Sequence, residues 1–124
     1  MGNRFGETPK FGDVFVAVLE GTGSIQYGRR PVVIAQNDIG NKYSSTIEVI
    51  PMSSRVNKAS HMPTHIIVQA NSDNGLNCKS VVLAEQTTTI NRECLKFRLG
   101  SLSREDLINI GKARAIQSPF PTAS

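Results

Sequence analysis

Two adjacent arginines, Arg29 and Arg30, follow a glycine-rich segment and come directly before Pro31 and a β-branched run. The guanidinium of arginine presents a planar fork of N–H donors that matches two oxygens of a phosphate group. Pro31 and the strand behind it restrict Arg30 more than Arg29. The pattern is therefore compatible with two interpretations of Arg30: a clamp on a phosphate and its transition-state charge, or an ordinary surface arginine at a strand start.

Two neighbouring hydroxyls, those of Ser53 and Ser54, lie at the end of a second β-type run. A serine hydroxyl can donate a hydrogen bond to a phosphate oxygen and hold it in position. Serine is also common where a strand ends in a turn, so a purely structural role for both residues stays open.

The histidines and cysteines form no recognisable metal or nucleophile motif. His61 and His65 are four residues apart, but Pro63 between them excludes a helical pair, and the spacing supplies no third metal ligand. Histidine titrates near neutrality and would suit acid–base cleavage of RNA, so a direct role for either remains an alternative. Cys78 and Cys94 are interpreted as core or surface residues, and their spacing matches no zinc motif.

The elements that must position these groups are mostly short strands. Five β-type runs are separated by turn signals such as 37–41 and 71–75, which predicts a small barrel or sandwich. The runs are Asp13–Leu19, Pro31–Gln36, Thr46–Met52, His65–Ala70 and Ser80–Gln86. The first is apolar on both alternating faces, which predicts burial on both sides. Pro31 is expected to open its strand rather than lie inside it.

The last third of the chain predicts a helix. Ser103 and Asp106 resemble a capping box, and Pro119 and Pro121 are expected to stop the helix. Gly111 is expected to permit close packing of that helix. The residues predicted to share its apolar face are Leu107, Ile108, Ile110, Gly111 and Ala115.

Composition places limits on class and partners. The chain has 124 residues, 39% of them hydrophobic, which predicts one domain with a modest core. No apolar run approaches the roughly 20 residues of a membrane-spanning helix, and no secretory signal is recognised, so a cytoplasmic protein is expected. A net charge of +4 and a pI near 9.4 permit a polyanionic partner.

Several motifs, in this order along the chain, strongly resemble the MazF/PemK-type toxin endoribonucleases. The resemblance covers about residues 11–117 and is highly specific because all of the motifs occur in register. The motifs are Gly12-Asp-Val-Phe, Gly23-Ser-Ile-Gln-Tyr-Gly-Arg-Arg-Pro-Val32, Gln36-Asn-Asp-Ile-Gly-Asn-Lys-Tyr-Ser44, Met52-Ser-Ser54, Pro63-Thr-His65 and Ser80-Val-Val-Leu-Ala-Glu-Gln86.

The resemblance implies a mostly β, SH3-like small barrel with a C-terminal helix, active as a homodimer. It implies a metal-independent enzyme without cofactors that cleaves single-stranded RNA, commonly mRNA, at short specific sequences. Arg30 corresponds to the principal catalytic residue and Ser53 to the catalytic hydroxyl, with Ser54 as an alternative. Attack of a ribose 2′-hydroxyl would leave 2′,3′-cyclic phosphate and 5′-hydroxyl ends. The RNA-binding residues that it implies are Ser24, Gln26 and Gln86, which would recognise bases, and Ser54, Arg55 and Lys58, which would make further contacts to the RNA.

The implied partner is an antitoxin of the MazE type, whose acidic segment covers the cleft and which binds DNA together with the toxin. The expected domain spans residues 11–117, between an N-terminal extension at 1–10 and a tail at 118–124. Two rival functions remain: a CcdB-like poison of DNA gyrase, disfavoured because the chain has no tryptophan, and a barrel that binds RNA or protein without cleavage.

Overall fold

The structure, a computed structural model, describes residues 8–20, 28–56 and 62–121. Its strands are β1 (Asp13–Leu19), β2 (Gly28–Ile34), β3 (Thr46–Ser53), β4 (His65–Val68), β5 (Ser80–Leu83), β6 (Thr88–Asn91) and β7 (Leu95–Ser101). Its α-helices are α1 (Asp38–Tyr43) and α2 (Arg104–Gln117), and short 3-10 turns cover Ala84–Gln86 and Arg92–Cys94. Neither helix in these three segments has the length and apolarity needed to cross a membrane.

The strands form one antiparallel sheet in the order β4-β5-β3-β2-β1-β7, with β6 paired to β3. Strand β3 pairs with β6 through Thr46–Val49 and with β5 through Met52 and Ser53. A strand that changes partner in this way turns the corner of a bent sheet. Over residues 8–20, 28–56 and 62–121 no pairing joins β4 to β7, so the sheet bends without closing. This mostly β architecture with a C-terminal helix confirms the predicted fold class.

Both faces of β1 are buried, as its apolar sequence predicts. Val14 packs with Val33, Ile50 and Met52 in one hydrophobic cluster that also includes Ile110 of α2. The alternate residues of β1 pack in a second cluster, which contains Phe15, Ala17, Leu19, Val32, Ile34, Ile47, Val49 and Leu95. Successive side chains of a strand point to opposite faces, so a bent sheet can use β1 in two cores.

Helix α2 begins where the sequence predicts, but it turns a different face inward. The Ser103 hydroxyl oxygen accepts a hydrogen bond from the Asp106 N–H, and the helix ends at Gln117, before Pro119. Ile110 and Ala113 are its buried residues. The predicted face was wrong at three positions that are exposed: Ile108, Gly111 and Ala115. Gly111 also permits no close packing, because nothing lies within 4 Å of an added Cβ there.

Strand β2 starts at Gly28, three residues before the predicted start, so Pro31 lies inside it. Proline is tolerated there because β2 pairs with β1 from Gly28 to Val33 but with β3 only from Val32 onward. Two strands were also missed by the five predicted runs. These are β6, whose four residues include a single apolar one, Ile90, and β7, whose apolar and polar residues alternate over Leu95–Leu99 but were not assigned to a strand.

The segment 37–41, predicted as a turn, instead starts helix α1. The Asn37 side chain caps it by accepting from the Gly40 N–H at 2.9 Å. The other end of α1 is held by Arg92, which is 9% exposed. Its Nε donates to the Ser44 carbonyl at 3.0 Å, and its terminal nitrogen donates to the carbonyls of Ser44 and Asn41. A buried guanidinium thus binds carbonyls that the end of a helix leaves without helical partners.

The predicted turn at 71–75 is present and is held against β7. Asn74 is 1% exposed; its side-chain oxygen accepts from the Leu76 N–H and its amide donates to the Gln69 carbonyl. Gly75 has a φ of 70°, and a Cβ there would lie 2.2 Å from the Leu99 carbonyl oxygen. Only glycine allows this approach, which fixes the start of segment 76–79 beside the sheet.

Candidate active site

The sequence-predicted catalytic residues meet where β2 and β3 separate. The two strands pair from Val32↔Pro51 to Ile34↔Val49. Continued by two residues, the same register brings Arg30 opposite Ser53. Because no β2–β3 pair is formed before Val32, the space between these strand ends is open to a ligand.

A cavity of about 470 Å³ occupies this place. Arg29, Arg30, Ser53 and Ser54 border it, so the structure brings both arginines and both serines together. Its remaining lining residues come from β1, β2, β3, β5, β7 and segment 75–78: Val16, Pro31, Met52, Gly75, Leu76, Asn77, Cys78, Ser80, Phe97 and Leu99.

The floor of the cavity is apolar. On β1 the face that contributes Val14 to the first core cluster continues through Val16, which is 8% exposed and borders the cavity. Val16 pairs with Pro31 on one side and with Phe97 on the other. Directly paired residues present their side chains on the same face of a sheet, so these three form one row across the floor. The cavity therefore combines an apolar floor with a basic and hydroxyl-bearing rim.

The two arginines differ in exposure. Arg30 is half-buried at the strand end, whereas Arg29 is exposed. Both are rooted in β2, which pairs them with Ala17 and Val18 of β1 and fixes their backbone. The planar fork of each guanidinium offers a bidentate, charge-assisted contact to phosphate oxygens. Arg29, to which the sequence reasoning assigned no role, is thus a second basic group at the same cavity.

The two serines also differ. Ser53, the last residue of β3, is 8% exposed, and its hydroxyl oxygen accepts a hydrogen bond from the Arg55 N–H at 3.1 Å. Ser54 is exposed at the rim. An accepted hydrogen bond fixes the Ser53 oxygen while its own O–H remains a donor, which suits a group that positions a phosphate oxygen.

The other predicted RNA-binding residues are not gathered at the cavity. Arg55 is exposed directly after β3, and Gln86 ends the 3-10 turn that follows β5. Neither is among the lining residues of the cavity in the part of the chain that the structure describes. The three remaining ones, Ser24, Gln26 and Lys58, lie outside the described residues, as does His61.

His65 makes a pair with Glu85. Its Nε2 lies 2.7 Å from Glu85 Oε2, and Thr64 Oγ1 donates to the other carboxylate oxygen at 3.0 Å. With the Ala84 N–H donating to the Thr64 carbonyl, these contacts tie the 3-10 turn of Gln86 to β4. The position of His65 indicates that it positions this turn.

Neither cysteine is in a disulfide. Cys78 is exposed and borders the cavity, and Cys94 is half-buried near β6. Sequence reasoning missed several lining residues, among them Arg29, Asn77, Ser80 and Phe97. Only Arg29 carried a signal, its place beside Arg30; the others depend on how β5, β7 and the 71–75 turn fold back over β2. Among the described residues no three His, Cys, Asp or Glu side chains are grouped so as to hold a metal ion.

Comparison with known proteins identifies the family. Residues 10–117 match the family described as PemK-like, MazF-like toxin of type II toxin-antitoxin system. The chain is 44% identical over 103 residues to the endoribonuclease MazF of Staphylococcus saprophyticus, an alignment that covers 82% of this chain and 84% of that protein.

Solved structures share the fold at lower identity. MazF (Form-I) from Deinococcus radiodurans superposes with a TM-score of 0.79 at 19% identity, over 92% of this chain and 99% of that one. An endoribonuclease from a mycobacterial species, in complex with its cognate antitoxin, superposes with a TM-score of 0.68 at 21% identity, over 94% and 98%. The chain therefore belongs to the PemK/MazF-like toxins of type II toxin-antitoxin systems.

Proposed function

We propose that this MazF-type toxin endoribonuclease cleaves single-stranded RNA, above all mRNA, at short specific sequences and without a metal ion. The observation that carries the proposal is that Arg30 and Ser53, the residues matched to the family's catalytic positions, border one cavity. Arg29 adds a second cation at the same rim, and the chain as a whole carries a net charge of +4. Clustered cations attract the phosphate backbone of a nucleic acid.

The reaction is an internal transfer of the phosphoryl group. The ribose 2′-oxygen attacks the adjacent phosphorus, the bond from phosphorus to the 5′-oxygen breaks, and a 2′,3′-cyclic phosphate remains. The proton lost by the 2′-hydroxyl is matched by one gained at the departing 5′-oxygen, which becomes a 5′-hydroxyl. No water is consumed in this step, so the main tasks of the protein are to orient the reacting groups and to stabilise charge.

Arg30 stabilises the negative charge that grows on the phosphate oxygens and takes part in proton transfer, while Ser53 donates to one of those oxygens. The half-buried position of Arg30 strengthens its contact with the charge, because electrostatic interactions weaken less where water is displaced. Arg29 and Ser54, at the same rim, contact the neighbouring backbone.

Recognition of bases belongs to groups outside the cavity. Gln86 is held on a turn anchored by Glu85, and an amide side chain can bind the edge of an unpaired base. Ser24 and Gln26 are proposed as further base readers, and Arg55 and Lys58 as backbone contacts, on the strength of the family motifs.

The proposed assembly is a cytoplasmic homodimer that an antitoxin of the MazE type inhibits and that binds DNA together with that antitoxin. The complex of a similar mycobacterial endoribonuclease with its cognate antitoxin supports a partner of this kind. An acidic antitoxin segment would compete with RNA for Arg29 and Arg30, because both ligands are anionic.

The proposal is tested by incubating the intact protein with a long single-stranded RNA in excess EDTA and mapping the fragment ends. We expect discrete cuts whose 5′ ends accept a phosphate from polynucleotide kinase without prior phosphatase treatment, and whose 3′ ends carry a cyclic phosphate. Loss of cleavage in EDTA would contradict the metal-independent course. RNA that is bound but stays intact would support the non-catalytic barrel, and inhibition of gyrase by a protein inert toward RNA would support the CcdB-like alternative.

A further inference from the structure

The cavity floor carries an aromatic side chain that is 40% exposed, Phe97 of β7. Phe97 belongs to the cross-strand row with Val16 and Pro31, and Val16 beside it is buried. Keeping this much of a phenyl ring in water forgoes the stabilisation that burial would give, roughly 25 cal/mol for each Å² of apolar surface. A ring left open inside a cavity, rather than on a convex surface, indicates an apolar ligand surface that covers it.

The positive charge of the arginines that border the cavity with Phe97 indicates which class of ligand could cover its ring. Arg29 lies on the same face of β2 as Pro31, two residues before it. Arg30, between them, alternates to the other face of the strand but borders the same cavity. A ligand that covers Phe97 and contacts these arginines needs a flat apolar part and an anionic part joined by a short link. A nucleotide has this form, because its base has two π faces and its phosphate is an anion.

We propose that Phe97 is the stacking platform for one unpaired RNA base next to the cleaved phosphate, an inference that rests on the proposed function. Phe97 and Pro31 are two strand spacings apart, roughly 10 Å. Because Arg29, Arg30 and Phe97 all border this one cavity, a phosphate bound by the arginines and a base resting on Phe97 belong to the same or to neighbouring nucleotides. The phenyl ring has no hydrogen-bonding groups, so Phe97 contributes affinity and position, and the choice among the four bases falls to other residues.

The test compares Phe97→Ala, Phe97→Leu and Phe97→Tyr in the intact protein. The ligand is a single-stranded RNA containing a cleavage site, with the 2′-hydroxyl at that site replaced by hydrogen so that binding is measured without cleavage. Loss of a base–aromatic stack weakens binding by about 5- to 150-fold. We expect this loss for the alanine variant, most of it for the leucine variant, which keeps bulk but lacks a π face, and near wild-type binding for the tyrosine variant.

A double-mutant cycle then identifies the stacked base. RNAs with a single abasic position, moved stepwise through the site, are bound to the wild type and to Phe97→Ala. At one position next to the cleaved phosphate, the abasic RNA should bind the wild type with the same reduced affinity as intact RNA has for Phe97→Ala. Combining that abasic RNA with Phe97→Ala should lower the affinity no further. Unchanged unfolding curves and unchanged mass in solution for Phe97→Ala show that the effect is on RNA.

Three results overturn the inference. Equal RNA affinity of Phe97→Ala and wild type would show that the ring contacts no base. Wild-type binding by Phe97→Leu would show that bulk rather than stacking matters. A changed oligomeric mass for Phe97→Ala would make the residue a contact between copies of the chain. In all three cases metal-free cleavage by the wild type would leave the proposed function standing, whereas a wild type that neither binds nor cuts RNA removes both.

Discussion

Two concave surfaces in the described part of the chain are bordered by charged groups of opposite sign. The groove beside α1 has a volume of about 640 Å³ and is bordered by the carboxylates of Asp38 and Glu48. The cavity at the ends of β2 and β3 is smaller, about 470 Å³, and is bordered by Arg29 and Arg30. Volume alone would select the groove, yet its carboxylates do not attract a polyanion, and one of them, Glu48, is paired with Arg114 at 3.3 Å. The two arginines of the smaller cavity do attract one. Charge at the strand ends therefore identifies the site.

Arg92 and Arg30 also differ in what surrounds their side chains. Arg92 is buried, and it donates hydrogen bonds to the carbonyls of Asn41, in α1, and Ser44. Arg30 borders a cavity and is half-buried. We expect substitutions to separate these two uses of a guanidinium, one in stability and the other in catalysis.

The largest effect is expected for Arg30→Ala. Removing one donor that stabilises a transition state costs about 100- to 1,000-fold in turnover, and we expect a loss of this size in single-turnover cleavage. Arg104→Ala, at the exposed start of α2, removes the same charge outside the cavity and should cleave like wild type. Equal losses in both variants would show that only net charge matters.

Arg92→Ala is expected to act on folding. The substitution leaves the carbonyls of Asn41 and Ser44 without their charged donor, which should lower the free energy of unfolding by roughly 2–3 kcal/mol. Urea unfolding measures this loss, and cleavage per folded molecule should stay near the wild-type rate. A normal unfolding midpoint combined with slow cleavage would show that Arg92 acts in catalysis rather than in stability.

The two serines should differ. Ser53→Ala removes the buried hydroxyl and is expected to slow cleavage by about 10- to 100-fold, the worth of a hydrogen bond to a charged group. Ser54→Ala, its matched control, should change the rate only a few-fold because Ser54 is exposed at the rim. The reverse ranking would make Ser54 the functional hydroxyl.

The smallest effect is expected on stability, for a substitution of Asp38 in the groove beside α1. The Phe11 N–H and the Asn41 side-chain amide both donate hydrogen bonds to the Asp38 carboxylate. These bonds, the one from Phe11 with the larger effect, lower the pKa of the carboxyl from its ordinary value of 3.8. Because this pKa is lower in the folded than in the unfolded protein, the ionised carboxylate stabilises the fold at every pH above the unfolded-state pKa. This stabilisation is lost as the pH falls through the folded-state pKa. Asp38→Asn should be slightly less stable than wild type at neutral pH.

The deficit of Asp38→Asn should shrink below pH 3.8, as urea midpoints across pH would record. RNA cleavage at neutral pH should be unchanged by this substitution. A deficit that does not vary with pH would mean that the charge of Asp38 does not stabilise the fold.

Local sequence predicts the elements whose signals are self-contained. Strand β1 has an unbroken β-branched and apolar run, and α2 has a side-chain cap at Ser103. Strand β7 was missed although Leu95–Leu99 alternates apolar and polar residues, the pattern of a half-exposed strand. The inward face of α2 depends on how the helix packs against β4 and the 3-10 turn at Ala84–Gln86, which periodicity alone does not determine.

The candidate site was predictable only in part. Arg30 and Ser53 could be named from their places at strand ends and from family motifs, and the structure brings both to one cavity. Arg92 could not be distinguished from a surface arginine, because its partner Ser44 lies 48 residues away in sequence. Phe97 joins the cavity only through the pairing of β7 with β1, a contact between distant parts of the chain.

The most direct test of the account is a crystal structure of the intact protein with an RNA whose scissile 2′-hydroxyl is replaced by hydrogen. The account predicts that the phosphate next to that ribose lies within hydrogen-bonding distance of the Arg30 guanidinium and of the Ser53 hydroxyl. RNA bound with that phosphate away from both, or seated in the groove of Asp38 and Glu48, would contradict it.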